Sequence, residues 1–490
     1  MEFLDLFDNL NYDPTDEDLD DLGAVFQRFS DVDGYPIVPA DVWHRINARY
    51  RQKDVKMAFC RHLVDNKVPF PLSAPTLDDA RVAFVGLCSL QPPFYTIRPF
   101  KDFHPRVPYR NLVSSDVHAV FVRNNVHNDA SNYFQWSNRM RCGGWGDPSP
   151  IEAWSTVKAL YNLRWTFWSL DPDGPTSRRV WRVSFLNSSG GMYQAAQFRP
   201  SAAKSLYGWL GGSVVVDPSC GWGDRLCGFY ATSTTTKYVG CDPNPDTWAT
   251  YRTQCIAYET WLGNPNPIVE DIVVAGRPAF HVRGVKEVVI VNGPFEDVPW
   301  HDVLPEGADV VFTSPPYFST EKYAAHTSKS DDQSWSRYTT FDAWRDNFYF
   351  LMIRVGGELV RKRDGIVLMN IADPLIGLGK NKVRHEACDP SVDYARSLGM
   401  RYVGASGLEL SLRPSSSTDR SSLQQGAFIE PVWMFTWGRD CPVVPVSSVE
   451  SMFLTDTPPD EVNADVVAGG PEEAGPSEFD QVYGLFGDLE

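Results

Sequence analysis

The 490-residue chain lacks several patterns that would assign it to common protein classes. Its nine cysteines include no Cys-x-x-Cys pair and follow no regular spacing, so the sequence indicates neither a zinc site nor a disulfide framework, and no metal is predicted. There is no apolar run of about 18 residues and no signal-type N-terminus, which argues against a membrane span and against secretion. We therefore expect an intracellular protein, in the cytoplasm, nucleus or nucleoid, with reduced cysteines.

Basic residues are nearly absent from both ends of the chain. Residues 1–33 carry eleven acids and one Arg, and residues 450–490 carry eleven acids and no Lys or Arg. Because these ends hold −10 and −11 of a formal net charge of −17, the remainder carries +4. The low overall pI therefore does not exclude a nucleic-acid partner. Apolar residues lie among the acids, so the ends are either solubilising tails or short segments that dock on a protein partner.

A glycine-containing turn follows an apolar strand in the middle of the chain. Residues 213–217 (SVVVD) are typical of a buried parallel strand, and residues 218–226 predict the turn that opens a helix. Gly221 and Gly223 let the backbone come close to a ligand where a Cβ atom would collide. Because the turn lacks the three glycines of dinucleotide sites, a nicotinamide or flavin cofactor is disfavoured.

The second predicted strand ends in an acid. Residues 237–242 place Asp242 roughly 20 residues beyond the glycines, where a carboxylate accepts hydrogen bonds from both ribose hydroxyls. The alternative role is capping of the helix that follows. In a third strand and loop, residues 287–297, Pro294 and Phe295 are placed to flank an adenine ring. This order of elements favours a nucleoside cofactor.

A polar-Pro-Pro-aromatic turn follows the next apolar strand, within residues 309–318 (DVVFTSPPYF). Consecutive prolines fix φ and remove two backbone donors, so the neighbouring carbonyls stay available as acceptors. Ser314 adds a hydroxyl acceptor, and Tyr317 offers a ring for stacking. Acceptors that hold the hydrogens of an exocyclic amine favour the geometry in which its nitrogen attacks. The turn therefore predicts alkylation of a nucleobase amine, with a loop or a polyproline recognition segment as the alternative.

Together these residues resemble the S-adenosylmethionine-dependent amino-methyltransferases that modify adenine N6 or cytosine N4 in DNA. The resemblance covers about residues 190–440 and implies that Ser314, Pro315, Pro316 and Tyr317 are catalytic. It implies S-adenosyl-L-methionine as the cofactor and DNA as the partner, with RNA as the alternative. Ser314 as the first residue of the turn favours cytosine as the target base, and adenine is the alternative. The predicted cofactor-binding residues are Phe198, Pro200, Asp217, Cys220, Gly221, Gly223, Asp242, Pro294 and Phe295.

The same resemblance implies the fold and the organisation of the chain. Residues 190–440 are expected to form a Rossmann-like, doubly wound, mostly parallel α/β sheet of the class I methyltransferase type, with an insert at about 376–428. Residues 34–189 predict a mixed α/β or helical accessory domain, a candidate for target recognition. Residues 1–33 and 441–490 are expected to be acidic flexible tails. A non-catalytic binding or structural protein that retains the methyltransferase fold is the rival interpretation.

Two further segments have alternative interpretations. The polar stretch from 318 to 340 is typical of a lid or a substrate clamp, and we predict Phe318 and Tyr323 to bind the substrate. Residues 132–145 interleave aromatic residues with Arg and amides. That composition suits an unpaired nucleic-acid strand, and equally an aromatic core edge with snorkelling arginines.

Overall fold

The structure is a computed structural model. It describes residues 21–90, 95–96, 103–105, 109–112, 117–121, 124–144, 147–168, 171, 173–188, 191–318, 323, 330–376, 383–410 and 427–440. The described residues fall into two compact units, with 21–74 and 139–195 in the first and 75–138 and 196–440 in the second. Most of the predicted acidic tails and much of the predicted insert therefore lie outside the described residues.

The first unit is helical in the part that the structure describes. Its helices are α1 (Leu22–Arg28), α2 (Ala40–Arg49), α3 (Gln52–Asp65), α6 (Pro150–Trp154), α7 (Val157–Asn162) and α8 (Arg178–Leu186). Phe59 packs at 5.3 Å from Trp165 and at 5.5 Å from Trp181, measured between ring centroids. Side chains from α3 and α8 thus share an aromatic core, which gives this unit an apolar interior of its own.

Residues 75–138, which the sequence places within the accessory range 34–189, belong to the second unit. Phe84 stacks on Tyr258 at 4.4 Å, and Phe134 meets the same ring at 5.8 Å. These contacts connect helices of this segment to a helix of the sheet-bearing unit. The functional assignment of the ranges stays a prediction.

The second unit contains a large sheet and the remaining helices. The helices are α4 (Leu77–Ser89), α5 (Asp129–Met140, whose last two residues are assigned to the first unit), α9 (Pro200–Leu210), α10 (Asp224–Ala231), α11 (Pro245–Trp261), α12 (Trp300–Val303), α13 (Ser334–Arg337), α14 (Phe341–Trp344), α15 (Phe350–Arg361) and α16 (Cys388–Ser397). The strands are β1 (Tyr95–Thr96), β2 (Phe103–Pro105), β3 (Val117–Phe121), β4 (Val214–Asp217), β5 (Lys237–Cys241), β6 (Ile268–Val274), β7 (Arg277–Arg283), β8 (Glu287–Val291), β9 (Val310–Thr313), β10 (Ile366–Asn370), β11 (Leu375–Ile376), β12 (Val383–Arg384), β13 (Arg401–Leu410) and β14 (Ala427–Thr436).

The sheet has a parallel centre with antiparallel additions. Its order is β1-β3-β13-β14-β10-β9-β4-β5-β8-β7-β6, with β2 paired to β14. The five strands from β10 to β8 are mutually parallel, whereas β14 runs antiparallel to β10 and β13 and parallel to the short β2. The hairpin of β6 and β7 extends the sheet beyond β8. The chain order reverses direction at β4, because β4 is followed by β5 on one side and has the later β9 on the other.

Helices cover both faces of this sheet. Along β9, Val311 faces a core that includes residues of α15 and α16, whereas Val310 and Phe312 face a core that includes residues of α9, α10 and α11. Strands that are buried on both faces have continuous apolar sequences, which explains the Val-rich segments of this chain. The prediction of a Rossmann-like, doubly wound, mostly parallel sheet is confirmed.

None of the helices that the structure describes combines the length and the apolar character that a bilayer crossing requires. Within the same residues, no group of three or more His, Cys, Asp or Glu side chains is placed to hold a metal ion.

The helix α15 provides a test of the packing. Ile353 is fully buried between α15 and the sheet, so Ile353→Ala is expected to lower the free energy of unfolding by about 2–5 kcal/mol. Val82 on α4 is 61% exposed, and Val82→Ala is expected to change it by less than about 0.5 kcal/mol. Urea unfolding followed by tryptophan fluorescence measures both. Equal effects would contradict the assigned packing.

Candidate functional site

The glycine turn after β4 requires glycine at two positions. Gly221 and Gly223 have φ angles of 58° and 73°, in the left-handed region where a side chain is strained. A Cβ atom at Gly223 would also overlap the amide of Gln254, which donates a hydrogen bond to the Gly223 carbonyl at 3.0 Å. At Gly221 the nearest atoms to such a Cβ are 3.8 Å and 3.9 Å away. A Cβ atom at Gly221 would therefore meet only ordinary van der Waals contacts, and it is the left-handed φ that favours glycine there.

Asp242 holds this turn to the loop after β5. Its carboxylate accepts hydrogen bonds from the Gly221 N–H at 2.8 Å, from the Asn244 N–H at 2.8 Å and from the Tyr251 hydroxyl at 3.2 Å. Asp242 is 7% exposed. Burial raises the pKa of Asp242 to about 6, although the hydrogen bonds from Asn244 and Gly221 act in the opposite direction. A carboxylate offers about four acceptor positions, so three donors leave room for a further donor.

The cap of the helix after β5 is a different residue. The side chain of Asn244 accepts from the Asp246 N–H at 3.1 Å at the start of α11, and Pro245 takes the first helical position. Asp242 is therefore not the capping acid, although it stabilises the loop that leads into the cap.

Asp217 is bound to a buried arginine. The Arg225 guanidinium donates to both oxygens of Asp217, at 2.8 Å and 3.2 Å, and the Tyr238 hydroxyl donates to Oδ2 at 2.7 Å. Arg225 also donates to the carbonyl of Ser219 within the glycine turn. The side chains of this pair are 5% and 0% exposed. The pair thus connects the end of β4 to its own turn, and the Asp217 side chain serves to fix the turn's shape.

The sequence did not single out Arg225. The available signal for this ion pair was the spacing of eight residues between Asp217 and Arg225. Asp217 ends a strand, and Arg225 lies on the helix that follows. Arg225 also lies 5.5 Å from the centroid of the Phe198 ring, upstream in the chain. The Phe198 ring packs on Phe312 of β9 at 5.6 Å. Pro200 occupies the first turn of α9. The predicted cofactor residue Phe198 therefore reaches the turn through Arg225.

Cys220 contributes its backbone to the turn. Its N–H donates to the carbonyl of Cys241 at 3.0 Å, and its thiol, 1% exposed, lies beside the hydroxyl of Tyr238. Burial raises the pKa of the Cys220 thiol well above its usual range. The side chain is therefore an uncharged part of the core.

The loop after β8 joins the same region. The Asn292 side chain donates to the carbonyl of Asp242 at 3.0 Å. Pro294 is buried, and the ring of Phe295 is 3% exposed and packs on Trp300 at 5.4 Å. The structure thus brings this loop to Asp242, with the Phe295 ring directed into the core. Contact of Pro294 and Phe295 with an adenine ring stays a prediction.

The Ser-Pro-Pro-Tyr turn begins directly after β9, the neighbour of β4. Ser314 is half-buried, and the Tyr317 ring is 5% exposed. The Tyr317 hydroxyl accepts from the Ala372 N–H at 3.0 Å and donates to Glu430 of β14. These two bonds hold the ring in one orientation. Glu430 is a second residue of the site that the sequence analysis missed.

The two predicted substrate-binding residues pack against different aromatic side chains. Phe318, at a φ angle of 39°, is 9% exposed and packs on Phe341 at 6.0 Å and on Trp344 at 6.3 Å. Tyr323 meets Trp222 edge-on at 5.6 Å, between the two glycines of the turn. The predicted lid is otherwise described only from residue 330 onward, since 319–322 and 324–329 lie outside the described residues.

Comparisons with known proteins add little to this geometry. No protein-family model matches the chain, and no curated protein sequence matches it. Among solved structures, Trm1 from Pyrococcus horikoshii in complex with S-adenosyl-L-methionine matches 49% of this chain and 57% of its own, at 14% identity and a TM-score of 0.25. The match thus spans little more than half of the Trm1 chain. Because a TM-score this low does not establish a common fold, the fold assignment rests on the strand order.

The buried pair yields a stability prediction. Arg225→Met leaves Asp217 charged and buried without its partner, so the free energy of unfolding is expected to fall by about 3–5 kcal/mol. Arg252 forms an exposed pair with Asp271, at 38% and 76% side-chain exposure, and Arg252→Met is expected to cost less than about 1 kcal/mol. Urea unfolding of both variants checks this. A loss at Arg225 no larger than at Arg252 would refute the anchoring role.

Proposed function

We propose that this protein is an S-adenosyl-L-methionine-dependent methyltransferase that transfers a methyl group to an exocyclic amine of a nucleic-acid base. One observation carries the proposal. The glycine turn, Asp242 and the Ser-Pro-Pro-Tyr turn follow the carboxyl ends of three adjacent parallel strands, β4, β5 and β9. Ligands of doubly wound sheets bind at such ends, where the chain order reverses.

The residues fit a nucleoside cofactor. Asp242 has acceptor capacity for one further donor such as a ribose hydroxyl, and glycine at position 221 lets a ligand approach the backbone without meeting a side chain. Arg225 and Asp217 hold the shape of the turn. When bound, S-adenosyl-L-methionine supplies a sulfonium methyl group that an amine nitrogen can attack. A match to a structure that contains this cofactor is consistent with the proposal without carrying it.

The catalytic turn presents acceptors and an aromatic ring. Ser314 and the Pro315 carbonyl accept the hydrogens of the target amine, which favours attack by its nitrogen. Pro316 fixes the backbone between them and Tyr317. The Tyr317 ring, held through Glu430 and Ala372, stacks against the base. The base leaves its stack to reach this turn, and the surplus proton departs to water or a nearby acceptor.

Target recognition is assigned to the first unit. Its described residues carry 15 Lys and Arg against 10 Asp and Glu, a net charge of +5, although the whole chain carries −17. A net positive charge supports approach to a phosphate backbone. We propose DNA as the substrate, with cytosine N4 or adenine N6 as the acceptor. Activity on RNA alone would replace DNA as the proposed substrate, and absence of activity on both would overturn the proposed function.

A transfer assay tests the proposed function. We expect methyl-tritiated S-adenosyl-L-methionine to label DNA, and nucleoside mass spectrometry to identify a base methylated on its exocyclic amine. Ser314→Ala is expected to lower kcat about 100-fold, because one acceptor of the amine hydrogens is lost. Ser233→Ala, in an exposed loop after α10, is the matched control and should retain full activity. Absence of label on both DNA and RNA would overturn the proposal.

Asp242 predicts the pH dependence of cofactor binding. Because a ribose hydroxyl donates to the ionised carboxylate and the pKa of Asp242 is about 6, affinity for S-adenosyl-L-methionine should fall as the pH drops below 6. Asp242→Asn should bind about 10- to 100-fold more weakly at pH 8, without this pH dependence. Isothermal titration calorimetry between pH 5 and pH 8 measures this, with exposed Asp302→Asn as the control. Unchanged affinity in Asp242→Asn would exclude ribose binding there.

The folding stability of the unliganded protein depends on pH in the opposite direction to its cofactor affinity. The native pKa of Asp242 lies above its ordinary value of 3.8, so protonation of Asp242 stabilises the folded, unliganded protein at low pH. This stabilisation is lost as the pH rises from about 4 to 6. Cofactor affinity and unliganded stability therefore change in opposite directions with pH.

A further inference from the structure

Arg277 joins two segments that border the proposed site. It is the first residue of β7, and its side chain is 23% exposed. Its guanidinium donates to both oxygens of Asp332, at 2.7 Å and 3.2 Å, and to Asp297 at 2.5 Å. Asp297 lies in the loop after β8, whereas Asp332 follows the catalytic turn in the chain. We call residues 330–338 the strap.

A second set of contacts fixes the same junction. Arg337 of the strap donates to the two oxygens of Asp297 at 3.2 Å and 3.1 Å. The Tyr338 hydroxyl donates to Glu296 at 2.6 Å, and Arg337 lies 3.4 Å from the same carboxylate oxygen. The strap is therefore held to the loop after β8 by two arginines and three carboxylates.

The strap also reaches the glycine turn. The indole N–H of Trp335 donates to the carbonyl of Tyr323 at 2.9 Å, and the Tyr323 ring packs on Trp222 between the two glycines. Asp242 is bonded to both flanking elements, through the Gly221 N–H and through the Asn292 side chain. The strap thus connects the two loops that are hydrogen-bonded to Asp242, one through its carboxylate and the other through its backbone carbonyl.

From this arrangement we propose that Arg277 is a positioning residue that keeps the strap in place as the outer wall of the cofactor site. A planar guanidinium can bind two carboxylates at once, and the partial burial of these groups limits screening by solvent. The hairpin of β6 and β7 would then have a function beyond lengthening the sheet. The cofactor half of this inference rests on the proposed function.

Substitution on one strand separates this role from a general effect of charge. Arg277→Gln is expected to speed amide hydrogen exchange in residues 330–338 of the unliganded full-length protein and to weaken S-adenosyl-L-methionine binding about tenfold. Arg283→Gln is the matched control, because Arg283 lies on the same strand and pairs with Glu270 at 45% and 48% exposure. It should change neither quantity.

Two more variants guard against simple misfolding. Arg277→Lys keeps the charge but offers a single nitrogen, so it should restore part of the affinity. Asp332→Asn removes a partner from the strap and should reproduce both effects of Arg277→Gln. Thermal unfolding should show the same midpoint in these variants as in the wild type.

The outcomes are distinguishable. Unchanged exchange in residues 330–338 of Arg277→Gln overturns the inference, whatever happens to cofactor binding. Faster exchange with unchanged affinity overturns the role at the cofactor site. If the wild type binds no S-adenosyl-L-methionine, the proposed function fails, and the cofactor half of this inference fails with it. Faster exchange and weaker binding, absent in Arg283→Gln, support it.

Discussion

A single buried carboxylate, that of Asp242, determines the geometry of the candidate site. It accepts a hydrogen bond from the backbone of the glycine turn and another from the loop after β5. Since an unpaired buried charge is costly, these donors must stay in place for Asp242 to remain ionised. Burial raises the pKa of Asp242 in spite of these hydrogen bonds, so they offset only part of the cost of burying the charge. The site is thus organised around an anion that has capacity for one further hydrogen-bond donor.

The parallel sheet makes this arrangement useful for chemistry. Because β4 has β5 on one side and β9 on the other, the glycine turn lies between Asp242 and the Ser-Pro-Pro-Tyr turn. Two reactants bound at neighbouring strand ends need no large rearrangement to meet. Hydrogen bonds to neighbouring side chains and backbone fix each turn. Arg225 fixes the glycine turn, and the bonds of Tyr317 to Ala372 and Glu430 fix the Ser-Pro-Pro-Tyr turn. Rigid supports of this kind suit positioned catalysis better than mobile loops.

The sequence predicts the sheet and the turns well, because apolar strand runs, glycines and prolines report local backbone preferences. It does not predict Arg225, Arg277 or Glu430, whose partners are set by the fold: Arg277 and Asp332 are 55 residues apart in the chain. Sequence also cannot tell which way an aromatic ring faces. Within residues 132–145, Phe134 packs on Tyr258, so its ring belongs to a core. Phe295 and Phe318, predicted to touch ligands, are likewise largely enclosed by neighbouring rings.

The most direct test of the central claim is a crystal structure of the protein with S-adenosylhomocysteine, the product form of the proposed cofactor. The account predicts a ribose hydroxyl within about 3.2 Å of the Asp242 carboxylate, with the nucleoside beside Gly221. A nucleoside bound elsewhere, or a cavity at Asp242 closed by protein side chains in the presence of saturating ligand, would contradict it.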